Sequence, residues 1–350
     1  MYRRLRTVVA VLVVIFTFFL GFAGYMWWQW ASGAKEEVST KPAPVLFTVE
    51  RGDSVQTIGE RLEKQGIVRS ALAFRYLGRA ANPKPGTYYI AASEPPRTIL
   101  SRLDKGDVAT VRVTFPEGWT VQQMAKRLKK SELVADEAAF LKLVTENGKS
   151  LNAGFPTPNN LEGYLFPDTY FFPLRATDQQ IAETMLRNFH RRVVEGLSKE
   201  LQQTSRPLSE IVTVASMIER EAELDTDRPL IAGVIYNRLQ KGMRLQIDAT
   251  VQYARGVHEN RLLYRHLEVD SPYNTYKNTG LPPGPICCPG LPSIKAAAQP
   301  EPSNFLFYVD AGLGTGKHLF AAIYGEHQRN VALFRQRRRA AQKAESKSTR

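Results

Sequence analysis

Cysteine is nearly absent: 350 residues carry two, Cys287 and Cys288, adjacent in the chain. Neighbouring cysteines reach disulfide geometry only with strain, so neither a disulfide framework nor a thiolate metal spacing is present. They read as two small, half-buried side chains in a loop. Histidine is scarce too, and His190, His258, His266, His318 and His327 include no H-x-x-x-H pair, which removes the common helical zinc site. G-x-S-x-G is missing, so an α/β-hydrolase nucleophile elbow is excluded. Residues 312–317 (GLGTGK) resemble a phosphate loop but have Ala311 and His318 where that motif needs Gly and Ser/Thr. A Gly-rich hairpin turn explains them. No metal and no cofactor are expected.

Negative charge is also in the minority, with 34 Asp and Glu against 47 Lys and Arg, a formal +13. Arg3, Arg4 and Arg6 hold +3 of it and residues 335–350 hold +6, which leaves +4 for residues 8–334. That is an ordinary surface, with no basic stripe of the kind that tracks nucleic acid.

Residues 8–28 contain no charge at all. Twenty-one residues at about 1.5 Å each reach roughly 31 Å, one hydrocarbon core. The arginines before the run hold that end in the cytoplasm, and Tyr25, Trp27, Trp28 and Trp30 form an aromatic belt at the far interface. Ser32-Gly33-Ala34 would pass as a signal-peptidase site. Signal-peptide cores run only about 7–15 residues, however, so the segment is expected to stay as an anchor.

Beyond it the pattern is α+β. Residues 1–7 form a basic cytoplasmic N-terminus, 8–28 the transmembrane helix, and 29–45 a polar, Pro-containing linker. A repeat follows. Residues 51–62 (RGDSVQTIGERL) match residues 117–128 (EGWTVQQMAKRL) at Gly52/Gly118, Ser54/Thr120, Val55-Gln56/Val121-Gln122 and Arg61-Leu62/Arg127-Leu128. Each copy reads as a strand, a turn at Gly, and a helix with apolar residues at i, i+3 and i+7. The unit resembles the start of a LysM module, a small βααβ fold that binds N-acetylglucosamine polymers. Residues 46–115 are assigned to such a subdomain, serving either glycan binding or mere spacing. Residues 116–334 form a larger mixed helical and β domain, with a hairpin at 305–309 and 318–320. Residues 335–350 form a basic tail, poor in apolar residues and expected to fray.

Residues 211–223 (IVTVASMIEREAE) read as an amphipathic helix. Glu219 and Glu223 are i, i+4 and share a polar edge with Ser216. Glu221 lies on the opposite edge, with Ile218, Met217 and Val214 at i−3, i−4 and i−7. Desolvation there raises a carboxyl pKa, which suits a general acid for a sugar leaving group. The alternative is a solvated acidic face paired with Arg220.

The run ASMIEREAE (215–223) resembles the signature of the endolytic murein transglycosylases, the MltG or YceG-like family. Five further blocks match in order: EGYLFPDTY (162–170), VIYNRLQKGMRLQIDATVQY (234–253), SPYNTY (271–276), TGLPPGPI (279–286) and FLFYVD (305–310). The resemblance implies a lytic transglycosylase of peptidoglycan. Such an enzyme cleaves the β-1,4 bond between N-acetylmuramic acid and N-acetylglucosamine within a strand and leaves a 1,6-anhydro end. It implies Glu221 as the catalytic residue. Asn237, Gln246, Asp248, Tyr273 and Asn274 fall in the matching blocks as candidate substrate-binding groups, though each could equally brace a turn or loop. The implied partners are glycan strands, a membrane crossed once with the catalytic domain in the periplasm, and penicillin-binding-protein synthases. No residue identifies the synthase contact. Two rival readings stay open: a non-catalytic glycan-binding scaffold of the wall-synthesis machinery, and a true hydrolase of the same strands.

Overall fold

A computed structural model describes residues 2–35, 43–257 and 262–348. Part of the expected linker, residues 36–42, lies outside the described residues, as does His258. The chain divides into two compact units, Met1–Val111 with Phe171–Arg175, and Arg112–Tyr170 with Ala176–Arg350.

The first unit opens with α1 (Tyr2–Ser32), whose side chains from Val8 to Met26 are not covered by protein. Among the described residues this is the one helix long and apolar enough to cross a membrane. The order then runs β1 (Val45–Val49), α2 (Val55–Lys64), α3 (Ala71–Leu77), β2 (Gly86–Ile90) and α4 (Pro96–Lys105). β1 and β2 pair antiparallel, from Val45 opposite Ile90 to Val49 opposite Gly86. Strand alternation turns Phe47, Val49, Tyr88 and Ile90 inward, where they meet Ile58 and Leu62 of α2, Phe74 of α3 and Ile99 and Leu103 of α4. The chain enters α2 through Gly52 at φ 94°, and Ser54 caps the helix by accepting from the Thr57 N–H.

In the second copy of the repeat, β3 (Thr110–Thr114) leads through Gly118, at φ 77°, into α5 (Val121–Lys130). Thr120 and Gln123 close a reciprocal capping box there. Such a cap contributes about 1 kcal/mol. α6 (Glu137–Glu146) follows, and β4 (Thr169–Pro173) returns to pair with β3. The division between the two units runs through both of these strands. The rest of the second unit is α7 (Asp178–Phe189), α8 (Ser198–Gln202), α9 (Leu208–Glu221), α10 (Arg228–Gln240), α11 (Asp248–Arg255), α12 (Leu291–Ala298), β5 (Phe307–Asp310), β6 (His318–Ala321) and α13 (Tyr324–Ser348). β5 and β6 form the expected hairpin, Phe307 opposite Ala321 and Asp310 opposite His318. Its loop is the GLGTGK segment, with Gly312, Gly314 and Gly316 all at positive φ.

Three expectations are corrected. The helix expected at 211–223 ends at Glu221, and its turns from Ile211 to Ile218 are buried on every side rather than along one stripe. Ser216 is fully buried because its hydroxyl donates to Thr213 O (2.7 Å) and accepts from the Ile286 N–H (3.0 Å). A small hydroxyl satisfied in this way carries no solvated edge. Cys287 and Cys288 are fully buried, not half-buried, and free. The C-terminal segment, expected as a frayed tail, is helical: α13 continues to Ser348. Its Ala, Arg, Gln and Lys are strong helix formers, so a lack of apolar residues removes packing but not helix.

Candidate active site

The site grows from the end of α9. Ala222 leaves the helix at φ −85°, ψ 124°, while its N–H still bonds Ile218 O. The last turn therefore projects Glu219 and Glu221 to different sides.

Glu219 is taken up by structure. Its carboxylate is 8% exposed and accepts from Ser293 Oγ (2.7 Å), the Gly290 N–H (3.1 Å) and Arg228 Nη1 (3.4 Å). Gly290 is the N-cap of α12, so Glu219 supplies the acceptor that this cap lacks and sits at the positive end of that helix. Arg228 is itself fixed by Asp225 Oδ1 (2.9 Å) and Ser293 Oγ (2.5 Å). The polar edge expected for Glu219 and Glu223 does not exist. Glu223 lies outside the helix and is exposed, while Glu219 is buried in this network.

Glu221 has a poorer set of partners. It is half-buried and, among the described residues, accepts one hydrogen bond, from Tyr308 Oη to Oε2 (3.2 Å). Loss of water raises its pKa to about 7, and the negative charge of Asp248 adds to the rise; the Tyr308 hydroxyl and Arg220 pull the other way. The negative end of α9 acts in the raising direction as well. Tyr308 comes from β5. The hairpin carrying it is tied down by Asp227, which accepts from the His318 backbone N–H (2.7 Å) and lies 3.0 Å from its ring Nδ1. Arg238 of α10 donates to Leu306 O (2.6 Å) and Leu245 O (2.6 Å), which fixes the entries to both β5 and α11. Asp248 opens α11, where a helix N-terminus favours negative charge, and it accepts from Tyr276 Oη (2.5 Å).

The other candidates separate into two groups. The Asn237 side-chain amide donates to Ser303 O and Phe305 O, both at 2.9 Å. Asn274 is fully buried and donates to Leu267 O and Val269 O, both at 2.8 Å, while accepting from the Tyr276 N–H. Both amides are spent on loop backbone. Gln246 keeps an exposed side chain on a backbone at φ 54°, its N–H bonded to Thr275 O (3.2 Å). Tyr273 stands against Tyr253, ring centroids 4.9 Å apart.

Tyr253 leads to a second buried carboxyl. Its hydroxyl donates to Glu162 Oε2 (3.4 Å), and Glu162 also accepts from the Val121 N–H at the start of α5 (3.1 and 3.3 Å) and faces Cys288 Sγ (3.8 Å). Burial raises the Glu162 pKa to about 8, against the lowering effect of these bonds. It borders a cavity of about 610 Å³ with Trp119, Gln122, Arg220, Gln252 and Tyr253. The cavity is bounded by Arg220 rather than by Glu221. The turn carrying Trp119 is pinned by two backbone bonds to Cys288 (2.8 and 2.9 Å). Sequence reasoning singled out neither Glu162 nor Tyr308 nor Tyr276. All three lie inside the quoted blocks EGYLFPDTY, FLFYVD and SPYNTY, and membership of those blocks was the available signal. Among the described residues no cluster of three or more His, Cys, Asp or Glu is arranged to hold a metal ion.

The geometry brings Glu221, Tyr308, Asp248 and Tyr276 into one polar site. A carboxyl that titrates near 7 both gives and takes a proton at neutral pH.

Known proteins are similar to this chain over most of its length. The model of the YceG-like family matches residues 47–333. A Bacillus subtilis (strain 168) protein named endolytic murein transglycosylase is 34% identical over 304 residues, 81% of this chain and 83% of its own length. A Streptococcus pneumoniae (serotype 2, strain D39) protein of the same name is 32% identical over 320 residues. The match takes in 82% of this chain but 58% of the streptococcal one. The crystal structure of a yceG-like protein from Listeria monocytogenes superposes with a TM-score of 0.56 at 32% identity, covering 82% of this chain and 98% of that one.

Proposed function

The chain belongs to the YceG-like family, and from that premise we propose that it is a membrane-anchored endolytic murein transglycosylase whose acid and base are one group, Glu221. The enzyme cleaves the β-1,4 bond between N-acetylmuramic acid and N-acetylglucosamine inside a glycan strand. Protonated Glu221 gives its proton to the glycosidic oxygen as the C1–O bond breaks. The carboxylate so formed takes the proton of the muramyl C6 hydroxyl while O6 bonds to C1. No water is consumed, and the product end is a 1,6-anhydro sugar. One residue serves both steps, so the two-carboxylate arrangement of most glycosidases is not required. Asp248, held by Tyr276, lends negative charge beside the developing positive C1.

The observation that carries this reading is the environment of Glu221: desolvated, at the negative end of α9, next to Asp248, with a pKa near 7. The names of the relatives, at 32–34% identity over most of this chain, support the substrate class. Tyr273 and Gln246 are proposed as further substrate contacts. Asn237 and Asn274 act by holding the loops. In the first unit the order β1-α2-α3-β2 is that of a LysM-like fold, which supports assigning residues 46–115 to glycan holding and residues 116–334 to cleavage. The basic residues in the first turns of α1 and the tryptophans at its far end support an inner-membrane protein with its N-terminus in the cytoplasm and its catalytic domain in the periplasm. Partner synthases of the penicillin-binding class are proposed from the family alone.

The test is digestion of purified glycan strands by the full chain, followed by mass analysis. A transglycosylase gives ends lacking one water relative to hydrolysis. Products that carry that water would make the protein a hydrolase, and no products would make it a scaffold.

A further inference from the structure

The first unit holds a cavity of its own. It measures about 1000 Å³ and is lined by Trp27 and Trp28 from the end of α1, Leu72 and Tyr76 from α3, and a set of arginines. Counting from Val8, about 20 residues at 1.5 Å span a hydrocarbon core of about 30 Å, which brings the outer boundary to these two tryptophans. α3 is held at that level. The Trp28 and Tyr76 rings meet edge to face at 5.2 Å. Arg69, just ahead of α3, donates to Trp30 O (3.0 Å) with its guanidinium 5.6 Å from the Trp30 ring. Leu72 and Tyr76 are nevertheless 64% and 57% exposed, although their neighbours Ala73 and Phe74 are fully buried.

Arg75, Arg79 and Arg97 line the same cavity. Arg75 donates to Gln56 Oε1 (3.2 Å), and Arg79 lies 4.9 Å over the Tyr76 ring. Among the described residues none of the three is ion-paired with a carboxylate. Three uncompensated guanidinium groups above an apolar, aromatic floor at headgroup depth match one chemistry: a phosphodiester joined to acyl chains. Guanidinium forks bind phosphate oxygens in pairs, and aromatic rings settle at the interface. Net negative charge distinguishes an anionic lipid from a zwitterionic one, whose own cation would meet the arginines.

We infer that this cavity binds the headgroup of one anionic phospholipid from the outer leaflet, seating the first unit on the membrane that α1 crosses. The inference rests on the anchor reading of α1. The experiment is native mass spectrometry of the full chain in detergent, titrated with phosphatidylglycerol. One lipid should be retained at low stoichiometry, with phosphatidylcholine held at least about tenfold less well. Arg75→Gln, Arg79→Gln and Arg97→Gln combined should lower phosphatidylglycerol retention by roughly tenfold or more. All three side chains are exposed, so the melting temperature should stay put. Arg97→Gln alone should give a smaller loss and serves if the triple variant melts early. Unchanged retention in these variants would overturn the site. Displacement of the lipid by millimolar inorganic phosphate would also overturn it, leaving a simple anion site. The intact mass in the same spectrum reports whether α1 is present, so a cleaved anchor is told apart from an empty site.

Discussion

Glu219 and Glu221 are two residues apart on one helix, about 200° apart around it, and they meet opposite surroundings. The Glu219 edge offers three donors: a guanidinium, a hydroxyl and the first free N–H of α12. The Glu221 edge offers one phenol hydroxyl and a neighbouring negative charge. The first carboxylate is a fixed anion that joins α9, α10 and α12. The second is kept short of partners and holds a proton near neutral pH. An E-x-E motif on a helix is therefore two separate devices, and what each does is set by the element packed opposite.

The largest test of that difference is catalytic. Glu221→Gln should lower strand cleavage by at least about 10²–10⁴-fold, because the amide can neither deliver nor take the proton. Glu219→Gln should leave turnover per folded molecule within roughly tenfold of the parent, since positioning alone is disturbed. Release of anhydro-muropeptides, with folded fraction measured alongside, reads both. A dead Glu219→Gln beside an active Glu221→Gln would reverse the assignment of the two edges.

Stability should rank the variants the other way. Glu219→Gln leaves Arg228 buried and without its buried counter-charge, as Asp225 is 77% exposed. Removing one partner of a buried pair costs about 3–5 kcal/mol, and the surviving Asp225 contact trims this to roughly 2–4 kcal/mol. Urea melts at pH 7 should show the loss, and an unaltered midpoint would mean that Glu219 holds nothing together.

Much of this contrast was legible in the sequence, and the part that was not has a physical reason. The 100° step per residue separates Glu221 from Glu219 and supplies the apolar i−3 and i−4 neighbours of Glu221, Ile218 and Met217, both fully buried. The capped helices α2 and α5 announce themselves through Gly52-x-Ser54 and Gly118-x-Thr120, because capping is local chemistry. The fate of Glu219 was not readable, since Arg228, Gly290 and Ser293 reach it only through packing between 9 and 74 positions along the chain. Asn237 and Asn274 stayed open between two roles for the same reason: an amide suited to sugar hydroxyls is equally suited to loop carbonyls, and folding brought the carbonyls. Tyr308 approaches Glu221 from 87 residues away.

A pH series sharpens the comparison further. The folded pKa of Glu221 is raised from 4.5 to about 7, so the native state binds its proton more tightly than the unfolded chain does. Wild-type stability from this group is full below about pH 4.5 and is lost as pH rises through 7. Glu221→Gln carries no such loss. Its melting temperature should match the parent near pH 4 and exceed it by a margin that grows up to about pH 7 and then levels. Half-exposure reduces the margin below the full linkage value. A gap that narrowed with rising pH would contradict the raised pKa.

The smallest expected effect concerns the phenol donor on the Glu221 edge. Tyr308→Phe removes the hydroxyl that donates to Oε2 and keeps the ring that packs near His318 and Phe320. The lost bond stabilised the carboxylate over the acid, so the Glu221 pKa should rise further. A hydrogen bond to a charged group contributes about 1.5–3 kcal/mol where it is fully buried, and half-burial reduces that to a shift of roughly one pH unit. Cleavage needs the protonated acid first, so the alkaline limb of the pH–rate profile should move upward by about that amount. Turnover at the optimum should fall only a few-fold, because the proton is still carried by Glu221 and only its affinity has changed. The displacement of the limb is the informative readout: a purely structural Tyr308 would lower the whole profile without moving it. If the limb stayed in place, the group that titrates in the reaction would not be the carboxyl that Tyr308 touches.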